Sequence, residues 1–146
     1  MVEYCRINLP ITSYDLYDSA HLLTKDLVEE NFETISKIYI DYCRYKKFTS
    51  VMPLFIEEFM DSKSDIIGYY DQNQLVAWSL LVRLNNKNVE SVQFAWNYQK
   101  PKLQLGIKSI MHECAHYKQL EFDYLYLGET ALYKSRFVGY EVLGEI

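Results

Sequence analysis

The residues with the most obvious chemical potential form an HExxH sequence, His112-Glu113-Cys114-Ala115-His116. On a helix this spacing places two imidazoles one turn apart, able to bind zinc while the glutamate acts as a general base. No HxxGxxH extension follows, and no further acidic residue stands at a diagnostic spacing for a third ligand. A helical projection also places both histidines away from the apolar stripe of the segment, as surface residues. A zinc hydrolase is therefore a minor alternative, and no metal is expected.

The composition is that of a folded protein without a general affinity for polyanions. Apolar residues make up 49% and charged residues 24%, which argues against disorder. Because the net charge is −5, a nucleic-acid partner would need a local basic patch, and only two short clusters are present. These are Arg44 with Lys46 and Lys47, and Lys100 with Lys102. The start of the chain lacks the apolar core of a secretory signal, no apolar run approaches a membrane span, and the three cysteines form no CxxC pair. A cytoplasmic protein with reduced thiols is expected.

The spacing of apolar residues predicts one domain over residues 1–146, with the order β-α-α-β-β-β-α-β-α-β. The predicted strands are residues 4–9, 65–70, 75–84, 89–98, 122–127 and 140–146, and the predicted helices are 28–47, 52–60, 106–120 and 131–138. Short polar turns between the three middle strands indicate an antiparallel meander, and the later strand–helix–strand connection indicates one parallel pair. The prediction is an α/β fold with a mixed, mostly antiparallel sheet of about six strands and two helices on each side.

Two segments resemble the GCN5-related N-acetyltransferase (GNAT) superfamily, whose order of elements is also the one predicted. At the end of the chain, Ala131, Gly139 and Tyr140 match the spacing of a pattern found in many GNAT enzymes, with Ser135 at the position of a tyrosine. Residues 91–128 are similar to the cofactor-binding unit of the superfamily. Many relatives carry a further strand after the predicted sixth, so a homodimer that covers the free edge is expected.

This resemblance implies a coenzyme A site at the start of the helix predicted for residues 106–120. A helix N-terminus offers unpaired amides and the positive end of a dipole, which suit a pyrophosphate. The preceding strand would separate from its parallel neighbour and pair with the pantetheine arm, and its backbone amides would hold the thioester oxygen. Only the first glycine of the family's phosphate loop is present. The residues implied in cofactor binding are Ala95, Trp96, Asn97, Gln104, Leu105, Gly106, Ile107 and Lys108.

The implied reaction is transfer of an acetyl or other acyl group from acyl-CoA to a primary amine of a small molecule, peptide or protein. Such a transfer needs a base for the incoming ammonium and an acid for the leaving group. Tyr133 is the candidate acid nearest to Ser135, and Ser135 itself could relay a proton only through water. Glu90 and Glu129 are the candidate bases.

The last third of the chain also resembles the catalytic half of arginyl-type aminoacyl-tRNA–protein transferases, on residues 103–106, 124–128 and 133–137. This resemblance implies a tRNA partner, which would require a basic groove and salt-dependent binding. A further alternative is a GNAT-fold protein that binds without catalysing, because a loop glycine and the tyrosine are missing. Acyl-CoA is the preferred prediction because the GNAT-like end of the chain outweighs this likeness, and partly because the acidic composition suits tRNA poorly. No membrane partner is expected.

Overall fold

A computed structural model of the protein describes residues 2–145. The strands are β1 (Glu3–Asn8), β2 (Ala20–Leu22), β3 (Ser64–Asp71), β4 (Gln74–Arg83), β5 (Asn88–Trp96), β6 (Tyr124–Glu129) and β7 (Tyr140–Glu145). The helices are α1 (Lys25–Glu30), α2 (Phe32–Lys46), α3 (Ile56–Met60) and α4 (Leu105–Gln119). Short 3₁₀ helices cover Leu9–Ile11, Pro101–Leu103 and Leu132–Arg136. No helix in the described part of the chain is long and apolar enough to cross a membrane.

The seven strands form one sheet in the order β2-β3-β4-β5-β6-β1-β7. Strands β3, β4 and β5 are the predicted antiparallel meander. Strands β5 and β6 are the predicted parallel pair, and α4 connects them. The other neighbours in the sheet are antiparallel. The predicted mixed, mostly antiparallel α/β fold is confirmed.

The sheet has one strand more than predicted, and its N-terminal strand takes an unexpected place. Strand β1 lies between β6 and β7 and is antiparallel to both. The additional strand is β2, which has only three residues and therefore leaves no readable period in the sequence. Strand β7 lies at an edge of the sheet, as predicted, although Ile146 of the predicted strand falls outside the described residues. The homodimer over this edge stays a prediction.

Helices pack on both faces of the sheet, three on one and one on the other, where two on each were predicted. Helices α1, α2 and α3 cover one face, where Trp78 is fully buried and donates from Nε1 to the carbonyl of Ile35 at 3.0 Å. Successive side chains of a strand alternate between the two faces of a sheet. The side chains on the opposite face pack against helix α4. The three cysteines are buried and unpaired, as expected of small apolar residues in a core: Cys5, Cys43 and Cys114.

The predicted helix boundaries were wrong in three places. The helix predicted for residues 28–47 is divided at Asn31 into α1 and α2, and Thr24 caps α1 by accepting a hydrogen bond from the Leu27 amide. The helix predicted for residues 52–60 begins only at Ile56, after a segment around Pro53 without regular structure. The last predicted helix is the 3₁₀ helix before β7.

A β-bulge in β5 opens the sheet beside β6. Leu80 of β4 pairs with Gln93 and Leu81 pairs with Ser91, so Val92 is an additional residue in β5. A bulge bends its strand. Strands β5 and β6 accordingly pair only near the start of β5, up to Glu90, although β5 continues for six more residues. The separation of the two strands that the GNAT resemblance implies is present, and it creates the space described next.

Candidate functional site

A cleft of about 410 Å³ opens where β5 and β6 separate, between the end of α2 and the start of α4. Exposed side chains form its mouth, among them those of Lys46, Gln104 and Tyr133. Buried side chains form its inner wall: Leu105, Ser109, Ile110, Glu113 and Leu127. The cleft therefore runs from the surface towards the core on the α4 side of the sheet.

The N-terminus of α4 forms one side of the mouth. Gln104 precedes the helix in a left-handed conformation (φ 52°), and its carbonyl accepts from the amides of Ile107 and Lys108 at 3.2 and 3.0 Å. The amides of Leu105 and Gly106 have no hydrogen-bond acceptor within the helix, because no helical carbonyl precedes them by one turn. A Cβ added at Gly106 would meet no atom within 4 Å, so there is open space beside this residue in the first turn. This end of α4 can receive an anionic group such as a phosphate.

The predicted cofactor residues divide into those that line the cleft and those that do not. Four line it: Trp96, Gln104, Leu105 and Gly106. Ala95 is fully buried on the face of the sheet that α2 covers. The amide of Asn97 donates to the carbonyl of Val76 at 2.7 Å, so it is not free to hold a substrate oxygen. The side chains of Ile107 and Lys108 are exposed outside the cleft, and Lys108 borders a separate depression beside the loop before β2.

Of the predicted catalytic residues, only Tyr133 lines the cleft. Its side chain is exposed at the mouth, and partial burial raises the pKa of its hydroxyl above the ordinary value. The hydroxyl of Ser135 donates to the carbonyl of Leu132 at 2.6 Å, away from the cleft. Glu90 and Glu129 also lie outside the residues that line it. A catalytic role for these four residues stays a hypothesis. Only Tyr133 has a position in the cleft that favours that role.

The inner wall of the cleft carries a buried carboxylate, that of Glu113, with 1% of the residue exposed. The Tyr69 hydroxyl donates to it at 2.9 Å and the Ser79 hydroxyl at 2.8 Å, both to the same oxygen, Oε2. These partners come from β3 and β4, so two strands of the sheet fix a side chain of α4. Burial raises the pKa of Glu113 to about 7, although the two hydroxyl donors oppose this change. A carboxyl group that titrates near neutrality inside a cleft is a candidate for function.

Sequence reasoning considered Glu113 only as a member of the HExxH sequence. On α4, however, it shares a buried face with Ile110, Cys114 and Tyr117, at the spacing of one helical stripe. Glutamate is rarely fully buried unless it is paired. An acidic residue inside an apolar stripe was the signal in the sequence that could have identified this position.

The two basic clusters of the sequence lie on segments that approach each other beside the cleft. Tyr45 near the end of α2 stacks on Tyr98 after β5, with ring centroids 4.7 Å apart and planes 11° from parallel. Of these basic residues only Lys46 lines the cleft, as does Pro101, which stands between Lys100 and Lys102. The ammonium of Lys100 lies 3.5 Å from the carboxylate of Asp71. We call these three lysines and the tyrosine pair the basic rim. Aromatic rings beside cations are a common arrangement for binding single-stranded nucleic acid.

Comparison with known sequences identifies the family. The sequence model of "Arginine-tRNA-protein transferase, C terminus" matches residues 13–144, nearly the whole chain. The chain belongs to this family. No curated protein gave a significant match to the chain.

Solved structures establish that the family member has the GNAT fold. The C-terminal domain of a putative lysylphosphatidylglycerol synthetase from Agrobacterium fabrum is similar with a TM-score of 0.71 at 8% identity, over 88% of this chain and 47% of that one. A putative GNAT acetyltransferase from Novosphingobium aromaticivorans has a TM-score of 0.64 at 13% identity, over 96% of this chain and 59% of that one. N-myristoyltransferase from Saccharomyces cerevisiae has a TM-score of 0.55 at 13% identity, over 86% and 42%. The chain thus spans about half the length of these relatives, and the likeness concerns the fold.

His112 and His116 are not the surface residues that sequence analysis predicted, because the first is buried and the second is partly buried. His112 is buried because the loop before β2 packs over α4, and its Nδ1 accepts a hydrogen bond from the Tyr17 amide at 3.0 Å. Burial lowers the pKa of His112 to about 4. Its ring lies nearly parallel to that of His116, whereas Glu113 bonds to the sheet. Within residues 2–145, no group of three or more His, Cys, Asp or Glu is placed to hold a metal ion.

Replacement of Glu113 by glutamine is expected to change how stability depends on pH. A pKa raised from 4.5 to about 7 means that the folded protein keeps a proton that the unfolded chain loses in this range. The contribution of Glu113 to the free energy of unfolding therefore falls by roughly 3 kcal/mol as pH rises from about 4.5 through 7. Urea unfolding of the wild type and of Glu113→Gln should show the variant gaining that amount relative to the wild type between pH 4 and pH 8.5.

The difference in free energy of unfolding between the wild type and Glu113→Gln cancels the pH dependence that His112 contributes, which has the opposite sign. Its lowered pKa makes stability fall as pH drops from about 6.5 towards 4, equally in the wild type and the variant. Glu90→Gln is the matched control, because this carboxyl is only partly buried and lies outside the cleft. A difference between Glu113→Gln and the wild type that stays constant over this pH range would show that the carboxyl titrates normally.

Proposed function

We propose that the chain is a catalytic domain that transfers an aminoacyl group from an aminoacyl-tRNA to a primary amine. The observation that carries this proposal is a cleft with Lys46 and the open N-terminus of α4 at its mouth, in a member of the arginine-tRNA-protein transferase family. The net charge of −5 disfavours general binding of polyanions, so a local concentration of lysines beside stacked tyrosines supports a specific RNA end as the ligand.

The parts of the cleft suit the separate needs of this reaction. Phosphates near the 3′ end of the tRNA would meet the basic rim and the open N-terminus of α4. The aminoacyl group would enter between β5 and β6, where the two strands no longer pair with each other. The amine attacks the ester carbonyl, the bond to the ribose oxygen breaks, and an amide forms. The amine loses a proton and the ribose oxygen gains one, a step for which Tyr133 at the mouth is the candidate donor.

A second candidate is transfer from acetyl-CoA or another acyl-CoA, which the GNAT fold and the open amides at Gly106 support. The same end of α4 would then hold the pyrophosphate, and the same separated strands would hold the pantetheine arm. The acceptor in both cases is a primary amine of a small molecule, peptide or protein. The protein would meet either donor in the cytoplasm. A cytoplasmic location stays a prediction.

A transfer assay separates these candidates. The purified chain is incubated with peptides that carry a free or an acetylated amino terminus, and with either radiolabelled aminoacyl-tRNA or radiolabelled acetyl-CoA. We expect label from aminoacyl-tRNA on the free amine only. Turnover of acetyl-CoA without turnover of aminoacyl-tRNA would support the second candidate, and binding of either donor without turnover would support a non-catalytic domain.

Substitutions of Gly106 test the role of the α4 N-terminus. Gly106→Ala should be tolerated, because the added Cβ meets nothing within 4 Å. Gly106→Glu places a negative charge where an anion would bind, and an acidic residue in the first turn of a helix does not harm folding. We expect Gly106→Glu to lower donor affinity about tenfold, while Gly106→Ala stays within about twofold of the wild type. Donor titration with both variants measures this, and equal affinities would contradict the assignment.

A further inference from the structure

The cleft contains a buried acid without a cationic partner. The ion pairs of the described residues join Arg6 to Glu141, Lys37 to Asp41, Arg83 to Asp65 and Lys100 to Asp71, and Glu113 takes part in none of them. The hydrogen bonds to Glu113 come from two neutral hydroxyls. A buried carboxylate is costly unless a cation or several hydrogen bonds compensate it. In this protein the two neutral hydroxyls are the only hydrogen-bond donors to Glu113 among the described residues.

The geometry leaves one oxygen of this acid for a ligand. Both hydroxyls donate to Oε2 of Glu113, and neither donates to Oε1. Tyr69 and Ser79 thereby hold the carboxylate in one orientation, with Glu113 at the wall of the cleft. The hydroxyl of Tyr69 also lies 3.2 Å from the carbonyl of Ser109, which gives it an alternative acceptor when Glu113 is protonated.

The route from the mouth to Glu113 has apolar walls. Glu113 lies seven residues after Gly106 on α4, about 10 Å along the helix axis. Apolar side chains line the cleft between the mouth and the acid: Phe94, Leu105, Ile110 and Leu127. An extended side chain with an aliphatic stem and a charged tip matches such a passage, since the stem packs on apolar atoms while the tip reaches a polar partner.

We propose that Glu113 is the specificity-determining residue for the transferred aminoacyl group, and that it binds the cationic tip of a long side chain. This inference rests on the proposed function. A guanidinium or ammonium group supplies the missing positive charge. A neutral side chain of the same length leaves the carboxylate unpaired, and a short side chain does not reach it. Discrimination then comes from the cost of an uncompensated buried charge, which is large compared with the gain from one more methylene group.

The test uses amino acid amides, which carry the side chain without tRNA and without a reactive ester. L-argininamide, L-lysinamide, the neutral isostere L-citrullinamide and glycinamide are titrated into the protein by calorimetry at pH 8. We expect argininamide to bind at least tenfold more tightly than citrullinamide and glycinamide, and the lysinamide arm shows whether an ammonium serves as well as a guanidinium. In Glu113→Gln, the ratio between argininamide and citrullinamide should fall close to one. Glu30→Gln, which removes an exposed carboxyl of α1 outside the cleft, should keep the wild-type ratio.

A second measurement does not depend on how well the variant folds. In wild-type protein labelled with ¹³C at glutamate carboxyls, argininamide should lower the midpoint of the Glu113 signal in a pH titration, whereas glycinamide should not. The inference is overturned if argininamide and citrullinamide bind the wild type equally or not at all, if Glu113→Gln keeps the preference, or if glycinamide moves the signal equally. The proposed function fails separately, when aminoacyl-tRNA gives no transfer to a free amine although the amides are discriminated.

Discussion

Reversing the charge of Lys46 and Lys102 together is expected to weaken tRNA binding roughly 100-fold at about 50 mM salt, because each lysine that neutralises a phosphate contributes about tenfold at low ionic strength. Both side chains are exposed, so their replacement by glutamate should leave the fold unchanged. Filter binding or fluorescence anisotropy with uncharged tRNA over a series of salt concentrations measures the affinity. The dependence of log affinity on log salt should become less steep by about 0.7 for each lost phosphate contact.

Lys63→Glu is the matched control for this experiment. Lys63 is equally exposed but lies before β3, at the end of the sheet opposite the cleft. Lys63→Glu changes the net charge by −2, half the −4 of the double variant, so the general effect of a more acidic protein can be measured from the control and subtracted. Equal loss of affinity in the control and in the double variant would mean that the basic rim does not bind RNA. The acyl-CoA candidate would then become the better explanation of the cleft.

The local parts of this cleft could be predicted from the sequence, because they depend on neighbouring residues. The meander follows from short polar turns, and the parallel pair follows from a strand–helix–strand connection. Gly106 at the beginning of a helix indicated an anion site, and that helix does begin at the mouth of the cleft. Lys108 was included by its position in the family's phosphate loop, but it lies outside the cleft. Asn97 was included for its backbone amide, but that amide bonds to the carbonyl of Val76.

What the sequence did not reveal depends on contacts between distant segments. The period of residues 3–8 indicates a strand but not its neighbours, so the place of β1 between β6 and β7 could not be derived. His112 was assigned to the surface because a helical projection contains only the helix, whereas the loop before β2 covers this residue through Tyr17. The basic rim is likewise formed by residues more than fifty positions apart, brought together by the stacking of Tyr45 on Tyr98.

The place of β1 also explains why a glycine near the end of the chain matters for the whole sheet. Gly139 lies just before β7 with a φ of +83°, a conformation that other residues adopt only at a cost. Its carbonyl accepts a hydrogen bond from the amide of Asn8, at the end of β1, at 2.8 Å. A Cβ at Gly139 would stand 2.6 Å from the carbonyl oxygen of Asn8. Because that oxygen belongs to the backbone of a strand paired on both sides, it cannot move without disturbing β6 and β7.

Gly139→Ala is therefore expected to lower the free energy of unfolding by about 4 kcal/mol, from the left-handed backbone and the clash together. Gly128→Ala is the matched control, since Gly128 also has a positive φ, +74°, but a Cβ there meets nothing within 4 Å. Gly128→Ala should lower the free energy of unfolding by only about 1 kcal/mol, which is the effect of the left-handed backbone conformation alone. Urea unfolding followed by circular dichroism measures both variants. Similar losses in the two would show that β1 can shift away from Gly139, and hence that the strand inserted between β6 and β7 is held less tightly than its two ladders indicate.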